Sequence, residues 1–396
     1  MNIWSFNLRH LHAAAEVALQ GSINAAARSV NLTQPAITQA LAKLERQIGY
    51  PLFERRADGM TPTPHMLMLA PRIEAALAYI ASPQVTTTQM RALLAVASAG
   101  SYVGASQLIG LSEPSLHRAI KDLALALRVG LVERRGRGIM LTPVGLRVVR
   151  SFRLARAELQ AGCDELDQFA GHEVGRIVIG AMPLSRARLV PAALLSFHMM
   201  HPDTVVEVIE GAYADLIEPL RDGEIDMIVG AMRAVLPGDD IVQHPLFVDR
   251  PVIVGRRGHP LAATNPGLDE MRKFNWCLAP EGTPLRTHWT QMFADQEGPK
   301  PMVPVESGSV MVLRQLLLGS DFLTVLSPDQ VAMELRAGLL VKISDVTDTF
   351  SRTIAVSTRI DWRPTPMQRK LFDALITTAH LSKTYSEQSN PIGGRA

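Results

Sequence analysis

The residues with the clearest capacity for chemistry in this 396-residue chain are arginines in a repeated setting. Arg55 and Arg56 close the stretch "PLFERR", and Arg134 and Arg135 close "GLVERR". Each pair is followed by Gly and then by Thr-Pro. That order reads as a two-stranded wing whose guanidinium groups have only water or phosphate to meet. Catalytic chemistry finds no comparable pattern. His198 and His201 have an HxxH spacing, but no Cys, Asp or Glu at ligand spacing completes a metal site. Gly-x-Ser-x-Gly, phosphate-loop and dinucleotide signatures are absent. The chain is read as a non-enzyme without catalytic residues, metal or cofactor.

The elements that must carry the arginines occur twice. At an offset of 79 residues, "ALQGSINAAARSVNLTQPAITQALAKL" lies over "ASAGSYVGASQLIGLSEPSLHRAIKDL" without a gap. Gly21/Gly100, Ser22/Ser101, Pro35/Pro114 and Thr63-Pro64/Thr142-Pro143 pair identically. Such self-similarity marks a duplicated domain. Each copy reads as three helices and a wing. In the first, a periodic helix stops at Gly21, a short Ala-rich helix follows, and Thr33 takes an N-cap with Pro35 in the first turn. Ile37, Leu41 and Leu44 then give one buried face, leaving Thr38 and Gln39 outward. This is helix-turn-helix anatomy.

Charge agrees with that division. Residues 1–150 hold 16 Lys+Arg against 8 Asp+Glu, while the rest of the chain is net acidic. A basic head on an acidic body suggests a polyanion-binding module joined to one with another task. Cys163 and Cys277 lie in different regions, which argues against a disulfide framework and for a reducing compartment. No apolar run reaches the roughly 18 residues that suggest a membrane span. The expected setting is cytoplasmic, with no membrane partner.

The stretch "NAAARSVNLTQPAITQALAKLERQIGYPLFERR", with "TPTP" after it, resembles the winged helix-turn-helix of LysR-type transcriptional regulators. That resemblance implies double-stranded DNA as partner, with Thr33, Gln34, Pro35, Thr38 and Gln39 facing the groove and Arg55 and Arg56 on the wing. Gln34 and Gln39 carry the donor–acceptor fork that suits adenine edges. The second copy changes this surface: Ser112 stands for Thr33, Glu113 for Gln34, His117 for Thr38 and Arg118 for Gln39, with Arg134 and Arg135 on its wing. Glu113 accepts only from cytosine and is repelled by phosphate, whereas Arg118 is a guanine reader. A second head is unusual for this family. Its alternative role is packing.

After each Thr-Pro a helical segment follows. The first is short and interrupted by Pro71; the second runs from Val144 to Gly171, with Leu146, Val149, Leu154, Ala157, Leu159 and Leu166 on its apolar side. The resemblance implies a dimerisation linker helix and its length favours an intermolecular partner, hence a homodimer or homotetramer; the alternative is a helix packed on its own domain.

From Arg176 onward strands and helices alternate, as in a doubly wound sheet with ligands at strand C-termini. Two lobes with two crossovers resemble the type 2 periplasmic-binding-protein fold of LysR effector domains. The fold class is therefore multidomain: two helix-rich winged helix-turn-helix domains plus a two-lobed α/β effector domain. The expected boundaries are 1–81 and 82–143 for the heads, 144–172 for the linker helix, 173–382 for the effector domain and 383–396 for a flexible tail. Effector candidates are Leu184 and Ser185 after the first strand, Met232, then Thr283, Arg286, Ser307 and Ser309 at helix starts, where N–H groups favour an anion. The effector expected is a small organic acid or sugar derivative. The competing reading is a solute-binding or scaffold protein whose heads serve only packing.

Overall fold

The protein is described by a computed structural model covering residues 1–388 except 58, 136–137, 172–174, 295, 297 and 347–349, with side chains to residue 381. The chain divides into two compact units, one of Met1–Gly175 with Arg221–Glu224 and one of the remainder.

In the first unit, head one comprises α1 (Leu8–Gln20), α2 (Ile23–Ser29), α3 (Gln34–Ile48), the hairpin β1 (Phe53–Arg56) with β2 (Gly59–Pro62), and α4 (Pro64–Ile80). Head two repeats it as α5 (Thr87–Ala99), α6 (Tyr102–Ile109), α7 (Glu113–Leu127), β3 (Val132–Arg135), β4 (Gly138–Leu141) and α8 (Pro143–Phe169). The start signals act alike in both copies: Ser22 and Ser101, Thr33 and Ser112, and Thr63 and Thr142 each accept a backbone N–H of the helix they open. Gly21 and Gly100 end α1 and α5 at φ of 63° and 64°, where a side chain would be strained. Helix α4 runs through Pro71 without a break. The carbonyl this proline releases belongs to Leu67, and both residues lie on the exposed side of the helix.

The long helix α8 packs on α4 of its own chain. The pairing is antiparallel: His65 meets Phe169 edge-on, and Arg72 reaches Glu158 and Glu165. At Gly162 the helices approach so closely that an added Cβ would lie 2.9 Å from Leu69 Cδ1. The face that α8 buries is Val149, Phe152, Ala155, Leu159, Cys163 and Leu166, while Leu146 is 58% exposed. Arg72 is sealed in this seam, its Nη1 2.9 Å from Glu158. Burial alone would lower its pKa; hydrogen bonds to Glu165 and Glu158 outweigh that and hold it raised. One continuous apolar core runs through α1, α3, α4, α5 and α8, so the heads are fused.

The second unit opens with β5 (Arg176–Ala181), α9 (Leu189–Met200), β6 (Val205–Glu210), α10 (Tyr213–Arg221), β7 (Met227–Ala231), β8 (Ile241–Asp249) and β9 (Val252–Arg256). It continues with α11 (Leu268–Met271), β10 (Cys277–Leu278), α12 (Pro284–Met292), β11 (Val305–Glu306), α13 (Val310–Gly319), β12 (Thr324–Leu326), α14 (Ala332–Arg336), β13 (Leu340–Asp345), β14 (Arg352–Arg359) and α15 (Pro366–Gln388). Lobe one is the sheet β6-β5-β7-β14-β8, with β5 parallel to both neighbours and β14 antiparallel to β7 and β8. Lobe two joins β12-β9-β13 to the parallel pair β10-β11. The chain crosses between lobes after Asp249 and returns before Arg352, as the sequence order requires. Helix α15 continues into the segment expected as a tail, and residues 389–396 lie outside the described ones.

Replacing Arg72 by Ala would leave Glu158 and Glu165 buried without their cation. We expect a loss of about 3–5 kcal/mol, read from the urea dependence of hydrogen exchange in α4 and α8. A loss below about 1 kcal/mol would mean that the seam admits water.

Candidate nucleic-acid interface and effector cleft

In head one the expected groove residues share one exposed surface. Thr33 caps α3, its Oγ1 accepting the Ala36 N–H at 3.4 Å, and the Thr38 hydroxyl donates to the Gln34 carbonyl at 3.1 Å. Gln34, Pro35 and Gln39 are exposed beside them. Glu45 accepts the Leu52 N–H at 2.8 Å, which ties the end of α3 to the strand leading into the wing. The wing is anchored in turn where Met60 donates to the Gly21 carbonyl at 2.9 Å. A Cβ on Gly59 would stand 2.4 Å from that oxygen, so only glycine fits. Arg55 and Arg56 project outward from β1, the latter 3.1 Å from Glu54 in an exposed pair of little energetic weight.

Beside α3 lies a groove of about 490 Å³ lined by Asn7, Arg9, His10, Gln39, Lys43 and Arg46, among others. The repeat pattern did not single out its cations. They are legible only by asking which charges fall one turn beyond the reading residues. Burial, aided by the charge of Lys43, pushes the His10 pKa down and so disfavours its charged form.

Head two keeps the skeleton and loses the groove's charge. At the same offset Arg9, His10, Lys43 and Arg46 become Thr88, Gln89, Asp122 and Leu125. Leu125 is 67% exposed. Ser112 caps α7, and Glu113 occupies its first turn, where a carboxylate favours the helix dipole. The His117 ring stacks on Tyr102 with centroids 3.6 Å apart, which fixes its direction. Arg118 lies 3.8 Å from Asp122, both well exposed. Arg134 and Arg135 are exposed on β3, whereas Arg137 lies outside the described residues.

In the second unit, the parallel strands β5, β6 and β7 of lobe one end at Ala181, Glu210 and Ala231, and β10 and β11 of lobe two end at Leu278 and Glu306. Arg188, after β5, pairs with Asp329, after β12, at 2.8 Å across the cleft. Lobe two gathers Thr283, Arg286, Ser307 and Ser309 beyond the ends of β10 and β11. Thr283 caps α12 and Ser309 caps α13, while the Ser307 hydroxyl accepts the Ser309 N–H at 3.1 Å. Arg286 pairs with Glu306 at 2.8 Å and lies over Trp289, yet its Nη1 is buried without a hydrogen-bond partner among the described residues. On the lobe-one side Met232 is partly exposed beyond β7.

Ser185 departs from the sequence expectation. It is fully buried, and its hydroxyl donates toward the carbonyls of Met182 and Val229, at 2.9 and 2.8 Å. Helix α9 follows it from Leu189. Leu184 belongs to the core of lobe one. The loop that looked like an anion cradle is a structural turn. Sequence reading passed over two other cations. Arg233, after β7, lies 4.8 Å over the Tyr213 ring, and its pKa is lowered by burial and by nearby Arg352. Arg352 pairs with Asp249 at 2.7 Å where the chain crosses between lobes. Arg233 Nε and Arg352 Nη2 are both buried without partners among the described residues.

The profile of the LysR substrate binding domain matches residues 170–379, and that of the bacterial regulatory helix-turn-helix protein of the lysR family matches twice, at 8–66 and 87–146. GalR of Pseudomonas putida, an HTH-type transcriptional regulator, is 30% identical over 366 residues, 89% of this chain and 92% of that protein. The chain belongs to the LysR family of transcriptional regulators. PcaQ of Agrobacterium fabrum is 26% identical across 69% of this LysR-family chain and 89% of its own. Among solved structures, a full-length OxyR variant of Pseudomonas aeruginosa shares the fold with a TM-score of 0.55, at 22% identity over 74% of this chain and 94% of that one. LysG of Corynebacterium glutamicum, with bound effector Arg, gives 0.53 at 18% identity, over 74% and 97%. The doubled helix-turn-helix match agrees with the internal repeat of this regulator.

The two thiols of this LysR-family protein are buried, and burial pushes Cys163 up to about 12 and Cys277 up to about 11. Both therefore stay protonated at pH 8. Iodoacetamide at that pH is expected to leave both intact in the folded chain and to label both in urea, as read by intact mass. Rapid labelling without urea would show that the two sites open.

Proposed function

We propose that head one reads DNA through Thr33, Gln34, Pro35, Thr38 and Gln39 on α3, with Arg55, Arg56, Arg9, Lys43 and Arg46 holding the phosphates. The observation that carries this reading is the juxtaposition of exposed amide forks on α3 with a basic groove between α1 and α3. Forks identify bases, whereas the cations supply affinity that falls with salt. Lys43→Ala with Arg46→Ala is expected to weaken binding evenly across DNA sequences. The slope of log affinity against log salt should shrink by about 2, as measured by fluorescence anisotropy. An unchanged slope would sink the phosphate role of the groove.

The effector in this reading is a small organic anion held between the lobes. Arg233, Arg352 and Arg286 each keep a buried N–H unmatched at the cleft, and an unmatched buried donor costs about 1–3 kcal/mol until a partner arrives. A carboxylate supplies the acceptors, and Thr283, Ser307 and Ser309 add short polar groups across from it. This favours an organic acid over a neutral sugar. Differential affinity of the ligand for the two lobe arrangements is what drives control. Calorimetry with a panel of small carboxylic acids and neutral sugars tests the class. Arg233→Gln is expected to weaken the best acid about tenfold or more without lowering the melting temperature. Tight binding of a neutral sugar, indifferent to Arg233, would count against the anion reading.

A further inference from the structure

We propose that one chain holds a complete, directional pair of DNA-reading heads, so that a single protomer spans two half-sites of different sequence. The inference rests on the reading of head one as a DNA module given above and extends it to head two. It starts from a correspondence: α4 and α8 are the same element of the repeat, each opening on a Thr-Pro 79 residues apart. Equivalent elements packed antiparallel on each other are what a two-fold pair of heads places at its centre. Here both come from one chain, and one core passes through both heads.

The seam is also built for this pairing and not for two copies of either helix. At the offset of 79, Arg72 corresponds to Ser151, Glu158 to Tyr79 and Glu165 to Thr86. Pairing α4 with a second α4 would set Arg72 against Tyr79, a buried cation without a carboxylate. Pairing α8 with a second α8 would set Glu158 against Ser151, a buried carboxylate without a cation. Either arrangement leaves a buried charge uncompensated, the most costly defect a packed interface can carry. Only α4 with α8 satisfies both. Gly162 adds a steric condition: the close approach to Leu69 and Arg72 uses a glycine whose counterpart, Pro83, lies beyond the end of α4.

The two heads joined in this way are unequal. Head one presents Gln34, Thr38 and Gln39 beside a basic groove, and head two presents Glu113, His117 and Arg118 beside Asp122 and Leu125. Unlike surfaces in a fixed order require unlike half-sites in a fixed order. An amide fork favours adenine and a guanidinium favours guanine, so the two halves differ in composition. Larger assemblies of the protein then multiply complete head pairs.

Two measurements on the full chain test this. In a background with Cys163→Ala and Cys277→Ala, Leu69→Cys with Gly162→Cys places two thiols across the seam. The Leu69 side-chain end that crowds a Cβ at 162 is removed by the first substitution. Oxidation is expected to give a monomer-sized species whose linked peptides come from one chain; a covalent dimer overturns the proposal. Should that variant not fold, the unaltered protein decides. Selection from a random DNA pool is expected to return a non-palindromic motif of two unlike halves. Gln39→Ala should relax one half and Arg118→Ala the other, each by about tenfold. A palindrome or a lone half-site overturns the proposal. An intrachain link with no DNA selected at all overturns the reading of the heads, and the proposal with it.

Discussion

A guanidinium sealed between two helices has to be met by carboxylates, and everything in the first unit is arranged around that requirement. Arg72 leaves α4 into a seam lined by Leu69, Ile73 and the α8 residues Leu159, Cys163 and Leu166. Its compensation comes from Glu158 and Glu165, one on each side of the Gly162 crossing. Apolar area supplies most of the adhesion, but apolar area is indifferent to register. The ion pair is not: sliding α8 by one turn removes an oxygen from reach. The seam's adhesion and its register therefore come from different residues.

What the sequence made legible follows from how local each signal is. Caps, turns and the wing depend on a few neighbouring residues, so Thr33, Ser112, Gly21 and Gly100 could be placed from the chain alone. The strand–helix alternation after Arg176 was equally plain, and lobe one has the expected βαβαβ start. Side-chain direction was not local. Ser185 looked like a ligand by type, but a hydroxyl next to a strand end can turn inward, and here it binds two carbonyls. Arg233 and Arg352 looked like ordinary charges, because burial beyond a strand end is decided by the sheet order. Pro71 looked like a break, and Leu146 looked buried. The first is tolerated on an exposed face, and the second lies near the start of α8, off its buried stripe.

The partner of α8 was the least legible feature. Its periodicity announced a buried stripe, and a stripe does not say what covers it. The information lay in the duplication itself: a chain with two copies of a head also has two copies of the helix that leaves it. Divergence between the copies reinforces the point. Glu45, which ties α3 to its wing strand, is Ala124 in head two, and the wing at Gly138 has lost the tight contact that excludes a side chain at Gly59. The second copy has kept its fold while its surface and some of its internal ties have moved apart from the first.

The covalent link between the heads also changes how they meet. Two heads on separate chains must find each other, and the paired fraction then rises with protein concentration. Heads joined through α4, the Ala81–Thr86 connection and α5 are neighbours at any dilution, because their encounter is intramolecular. The number of paired heads in a cell is then proportional to the number of chains synthesised, down to a single molecule.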